Sequence, residues 1–242
     1  MKKIELLIFD MDGLIFDTGQ LAYRAYIESA KRHNYEVTPN VYYYLTGRTE
    51  AGIREGMEEI YGSDAPYQEW RDSTNHFKKK ILEQEQRVYK KEGVLELLKT
   101  AKESGIKIAL ASSSSRKTIK HYFEIEGMPN FFDVIVAGDE VQIGKPDPSI
   151  FLTACSKSGI SPDQAIVLED SRAGIEAARR GAILSILVED DITHLPNVTG
   201  EHRMKKDLSQ LLKEEIPANY QFDSLIEVRH FLLKNEWVLP YK

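Results

Sequence analysis

Two aspartates stand one residue apart at the end of an apolar run and directly before a glycine, in Ile4-Glu5-Leu6-Leu7-Ile8-Phe9-Asp10-Met11-Asp12-Gly13. Two like charges held that close are costly without a cation or a shared proton. Side chains alternate faces along a strand, so Asp10 and Asp12 project the same way only near its end, where Gly13 lets the backbone turn away. Three further groups of chemically suitable residues follow: Ser112 in a run of four serines, Lys145 between Gly144 and Pro146, and Glu169-Asp170-Ser171. Together they provide four carboxylates, one lysine and a hydroxyl beside a predicted helix start with free backbone N–H groups. That excess of negative charge would repel an anionic substrate. A divalent cation resolves the conflict, and an all-oxygen ligand set favours Mg²⁺, which takes one or two carboxylates and fills its octahedron with water and substrate phosphate. The serine loop and the lysine are suited to the remaining phosphate oxygens. The chemistry implied is phosphoryl transfer.

Positioning these residues requires strand ends that converge. Five short apolar runs read as strands: Ile4 to Phe9, Lys107 to Ala111, Val134 to Ala137, Ala165 to Leu168 and Ile183 to Val188. They are nearly unalternating, as expected of strands buried on both faces of a parallel sheet. Helical spacing separates them: Val94, Leu95, Leu98 and Ala101 before Gly105, a segment from Pro148 to Gly159, and Ser171 to Arg180 before Gly181. This β-α alternation predicts a doubly wound α/β parallel sheet. Ligands in such sheets bind at the carboxyl ends of the strands, where all four groups fall.

The stretch from Asp17 to Lys91 is too long for one crossover helix. Within it helices are predicted from about Gln20 to His33, after Thr38-Pro39, from Glu50 to Ile60, and around Trp70, Phe77 and Ile81. The expected organisation is a core of residues 1–16 and 92–242 with an inserted α-helical cap of residues 17–91, joined by Asp17-Thr18 and the charged run Glu83 to Glu92. Beyond the fifth strand, Met204, Leu208, Leu211 and Leu212 form a helical stripe, and a last helix is predicted from Asp223 to Leu233.

At 242 residues, 42% hydrophobic and 29% charged, the chain can bury a sizeable core. A net charge of −6 argues against broad nucleic-acid or anionic-membrane contact, and no stretch reaches the ~20 apolar residues of a spanning helix. A cytoplasmic monomer acting on small molecules is expected. The single cysteine, Cys155, cannot form an internal disulfide and reads as core. The six histidines show no metal-ligand spacing.

These motifs resemble those of the haloacid dehalogenase superfamily, in the branch with a small helical cap that includes β-phosphoglucomutase and many sugar-phosphate phosphatases. The resemblance runs from about Ile4 to about Val188. It implies that Asp10 is a nucleophile forming an aspartyl phosphate and that Asp12 is the general acid and base. It further implies that Ser112 and Lys145 bind the phosphoryl oxygens, with Ser113 donating through its backbone. A Mg²⁺ site would comprise Asp10, Glu169, Asp170 and the backbone carbonyl of Asp12. On these assignments Asp10 should stay ionised on the metal, while Asp12 could hold a proton. Ser114 and Ser115 read as caps of the following helix.

In the cap, Arg48 sits where relatives place substrate-contacting residues, and its guanidinium could grip a second anionic or hydroxyl-rich group. Two departures from the family pattern stand out. β-Phosphoglucomutase-like sequences carry a histidine at the position of Ala22, and the usual proline ahead of the helix at Gly93 is replaced by Lys91 and Glu92. The first favours a hydrolase over a mutase. The leading reading is a Mg²⁺-dependent phosphatase of a small phosphorylated metabolite; the alternatives are a sugar phosphomutase and a non-catalytic sugar-phosphate-binding regulator.

Overall fold

The computed structural model describes residues 3–209 and 217–237. In chain order the elements are β1 (Leu6–Phe9), α1 (Thr18–His33), α2 (Pro39–Leu45), α3 (Glu50–Tyr61), α4 (Tyr67–Glu85), α5 (Val94–Glu103), β2 (Lys107–Ser112) and α6 (Arg116–Ile125). There follow β3 (Val134–Ala137), α7 (Ser149–Ser158), β4 (Ala165–Glu169), α8 (Arg172–Arg180), β5 (Leu184–Val188), β6 (Tyr220–Phe222) and α9 (Leu225–Lys234). The chain divides into two compact units, one of Met1–Asp17, Tyr89–Asp190 and Ile216–Lys242, the other of Thr18–Val88 and Asp191–Glu215.

The first unit is the doubly wound sheet. Its strands run in the order β3-β2-β1-β4-β5-β6 and every neighbouring pair is parallel. Strand order reverses on either side of β1, which makes the β1/β4 boundary the switch point where such sheets open a crevice. The register fixes what emerges there: Phe9 lies opposite both Leu110 and Leu168, so Asp10, Ser112 and Glu169 leave the sheet at one edge. All four residues of β1 are buried, as the unalternating apolar run requires. Phe151, Ala154 and Cys155 of α7 pack on Leu6, Ile8, Ala109, Ala111 and Val167, which makes Cys155 a core residue.

The second unit is built on an aromatic core. Trp70 stacks on Tyr35 with ring centroids 4.2 Å apart, and Tyr61 meets both rings edge-on. Such pairs contribute about 0.5–1.5 kcal/mol each beyond the area they bury. The expected division of the chain is corrected here, because the described residues 191–209 group with the helical unit and not with the sheet. Val37 and Val198 exchange backbone hydrogen bonds of 2.9 and 2.8 Å, Tyr35 bridges to His202, and Ile192 and Leu208 are buried in the aromatic cluster. The expected helical stripe is also absent in its described part, since Met204 and Leu208 lie in irregular chain; Leu211 and Leu212 fall outside the described residues. No helix among the described residues is long and apolar enough to cross a membrane.

Candidate active site

The nucleophile candidate sits one residue past β1. Asp10 is buried, its backbone N–H bonded to Leu168 O at 3.0 Å. Its Oδ1 accepts from the buried Lys145 ammonium at 2.5 Å, and the same ammonium pairs with Glu169 Oε1. Lys145 comes from the loop ahead of α7, and its Nζ stands 5.0 Å above the Phe151 ring. Glu169 ends β4, and its second oxygen accepts from Asp170 N, Ser171 N and Ser171 Oγ at 2.8–2.9 Å. Ser171 Oγ in turn accepts from Gly174 N at 3.1 Å and caps α8. The helix head therefore orients one oxygen of Glu169 and leaves the other facing the lysine.

Ligand atoms of Asp10, Glu169 and Asp170 all lie within 4.8 Å of one another, a spacing that a single cation can bridge. Gly13 is what allows this approach. It has φ +82°, and a Cβ there would collide with the Asp170 carboxylate. Charge is unbalanced within the cluster. Burial pushes the Asp10 carboxyl up to about 7, against the pull of Lys145 and with Glu169 and Asp12 adding to the rise. Asp170 is raised well above the usual carboxylate range by burial and by Glu169, Asp10 and Asp190. Lys145 is raised above its ordinary value because Asp10 and Glu169 outweigh the cost of its burial. The expectation that Asp10 stays ionised thus presupposes more positive charge than one shared lysine supplies. A hard divalent cation fits this donor set, which is all oxygen and short of positive charge.

The Asp12 side chain is not among the clustered ligand atoms. Its Oδ2 accepts from Ser114 Oγ at 2.7 Å and lies 3.5 Å from Ser112 Oγ, while Ser114 N donates to Ser112 Oγ at 3.1 Å. Ser112 is buried at the end of β2, and Ser113 follows it into the loop. Of the two serines read as helix caps, Ser115 does cap α6 through Thr118 N, whereas Ser114 holds Asp12. Arg48 lies in the second unit with its guanidinium 4.5 Å from the Tyr44 ring centroid. Sequence reasoning also missed the use of Ser114, Gly174 and Asp190. A serine in a run of serines and a glycine within a helix carry no signal that separates their use from the ordinary one.

Fold and site together define an α/β enzyme that presents a carboxylate cluster and a buried lysine at the switch point of a parallel sheet. A family model described as haloacid dehalogenase-like hydrolase matches residues 7–188. The chain belongs to that family and is a phosphoric monoester hydrolase. A phosphorylated carbohydrates phosphatase of Thermotoga maritima is 34% identical over 185 residues, spanning 74% of this chain and 82% of the relative. Among solved structures, β-phosphoglucomutase of Clostridium difficile aligns over 97% of both chains with a TM-score of 0.69 at 24% identity. CbbY of Rhodobacter sphaeroides, in complex with phosphate, aligns over 93% of this chain and 96% of its own with a TM-score of 0.65, also at 24% identity. At that identity the two structures speak for the fold.

Proposed function

We propose that the protein is a Mg²⁺-dependent phosphatase of a small phosphorylated metabolite, of the sugar-phosphate kind, working through an aspartyl phosphate. The observation that carries this reading is the meeting of Asp10, Glu169 and Asp170 within 4.8 Å at the switch point of the sheet. Asp10, Glu169, Asp170 and the backbone carbonyl of Asp12 would hold Mg²⁺. The ion would supply the positive charge that lets phosphate and carboxylates approach.

In this scheme an Asp10 carboxylate oxygen attacks phosphorus as the bond to the leaving oxygen breaks, and Asp12 gives that oxygen its proton. Asp12, now ionised, takes a proton from water as the water attacks the phosphorus of the aspartyl phosphate. Inorganic phosphate leaves, and both aspartates return to their starting states. Lys145, Ser112 and the Ser113 backbone would hold the phosphoryl oxygens. Arg48 is proposed to contact the part of the substrate that is not transferred. Ala22 supports hydrolysis over mutase chemistry: it packs against the aromatic cluster of the second unit and offers no proton-transfer group. The test is phosphate release from a panel of sugar monophosphates with and without Mg²⁺, comparing the protein with Asp10→Asn. Equal release by the two refutes the mechanism.

A further inference from the structure

Asp190 lies two residues past β5 and is buried, with 2% of its side chain exposed. Its Oδ1 accepts from Lys91 Nζ at 2.6 Å. Its Oδ2 comes within 3.3 Å of the point where a Cβ on Gly13 would stand, on the side that the Asp170 carboxylate also occupies. The two carboxylates therefore approach the turn that carries Asp12 from the same side. Lys91 holds that turn from its backbone as well, since its N–H donates to Ile15 O at 2.9 Å. A proline in this place could not make that bond. The departure from the family pattern at residues 91–92 thus has a structural use: one residue ties the end of β5 to the loop after β1.

From this geometry we infer that Asp190, held by Lys91, is a positioning residue of the metal centre that braces the Gly13 turn from outside the ligand set. The inference rests on the metal reading given above. Asp190 is not itself offered as a ligand, because the clustered ligand atoms are those of Asp10, Glu169 and Asp170. Lys91 cancels its charge, so its contribution is orientation. Outer-shell residues that orient a metal site are worth about 10- to 100-fold in metal affinity.

The experiment is calorimetric titration of Mg²⁺ into the unsubstituted protein, Asp190→Asn, the neutral pair Asp190→Asn with Lys91→Gln, and Asp170→Asn as control. Asp190→Asn is the gentle probe, since the Lys91 side chain is 24% exposed and can reach water once its partner is neutral. The neutral pair leaves no unpaired charge and gives the same reading should the single variant fold poorly. We expect the single and the paired variants to weaken Mg²⁺ binding by about 10- to 100-fold, with metal-free melting temperatures close to that of the parent. Parental affinity in Asp190→Asn overturns the inference. Recovery of affinity in the neutral pair overturns it too, because the effect would then be net charge and not position. Should the unsubstituted protein bind no Mg²⁺, the metal reading fails and takes this inference with it. Binding that Asp170→Asn abolishes and Asp190→Asn leaves intact overturns this inference alone.

Discussion

The Ser114 hydroxyl donates to Asp12 Oδ2 at 2.7 Å, closer than Ser112 Oγ, which lies 3.5 Å from the same oxygen. Ser112 is in turn fixed by Ser114 N, so one residue of the serine run orients both the acid-base candidate and a phosphate-binding candidate.

Removing that hydroxyl should act on the chemical step. A hydrogen bond to a charged group, as Asp12 is once ionised for the attack of water, contributes roughly 1.5–3 kcal/mol, and 1.36 kcal/mol is about tenfold in rate. Ser114→Ala is therefore expected to lower kcat by about 10- to 100-fold with KM little changed. Ser115→Ala is the matched control. It removes the cap of α6 and should cost about 1 kcal/mol of stability while leaving kcat in place. Steady-state kinetics and thermal unfolding of the two variants decide the matter.

Gly174 lies in α8, where alanine would ordinarily gain up to about 1 kcal/mol of helix propensity. Here a Cβ would overlap the Glu169 carboxylate, which is enclosed by Lys145, Ser171 and two backbone N–H groups. Overpacking costs about 1–3 kcal/mol and outweighs the propensity gain. Gly174→Ala is expected to lower the melting temperature by several degrees and to weaken Mg²⁺ binding, read by calorimetry. A more stable variant with intact binding would show that Glu169 can move aside.

Asp10 predicts the pH dependence. Its carboxyl is pushed up to about 7 in the folded chain from an ordinary value of 3.8. Between these values the folded state keeps a proton that the unfolded state has released. The stability from this group is thus full below pH 3.8 and is lost as pH rises through 7. In chelator, the melting temperature should fall from pH 5 to pH 8, and Asp10→Asn should flatten that fall. Mg²⁺ requires the ionised carboxylate, so its affinity should rise over the same range with measurable proton release.

The five buried strands were legible because each is a short apolar run that no helix could use, and their observed limits differ from the sequence reading by no more than two residues. β6 was not legible. It is three residues long, Tyr220–Phe222, with only partial burial at the sheet edge, so it carries no apolar signature. Asp10, Lys145, Glu169 and Asp170 could be read because each follows or precedes a recognisable element at a motif spacing. The Lys91–Asp190 pair spans 99 residues and joins two charged, polar stretches, where an ion pair cannot be told from solvated side chains.

The segment after β5 escaped the sequence for a related reason: its buried residues Ile192 and Leu208 are sixteen positions apart and show no period. Their burial nevertheless sets a test of where this segment belongs. Leu208 is 4% exposed in the cluster that contains Tyr35 and Trp70, and Ile192 N donates to Tyr43 Oη at 2.8 Å. Truncating a buried leucine costs about 2–5 kcal/mol, the larger values where the surroundings cannot collapse. Leu208→Ala is expected to lower the unfolding temperature reported by Trp70 fluorescence in a Trp237→Phe background. Its Mg²⁺ affinity should match that of the parent, because no residue of the metal cluster lies in the same unit. Unchanged Trp70 unfolding would mean that Leu208 packs elsewhere and that residues 191–209 do not complete the helical unit.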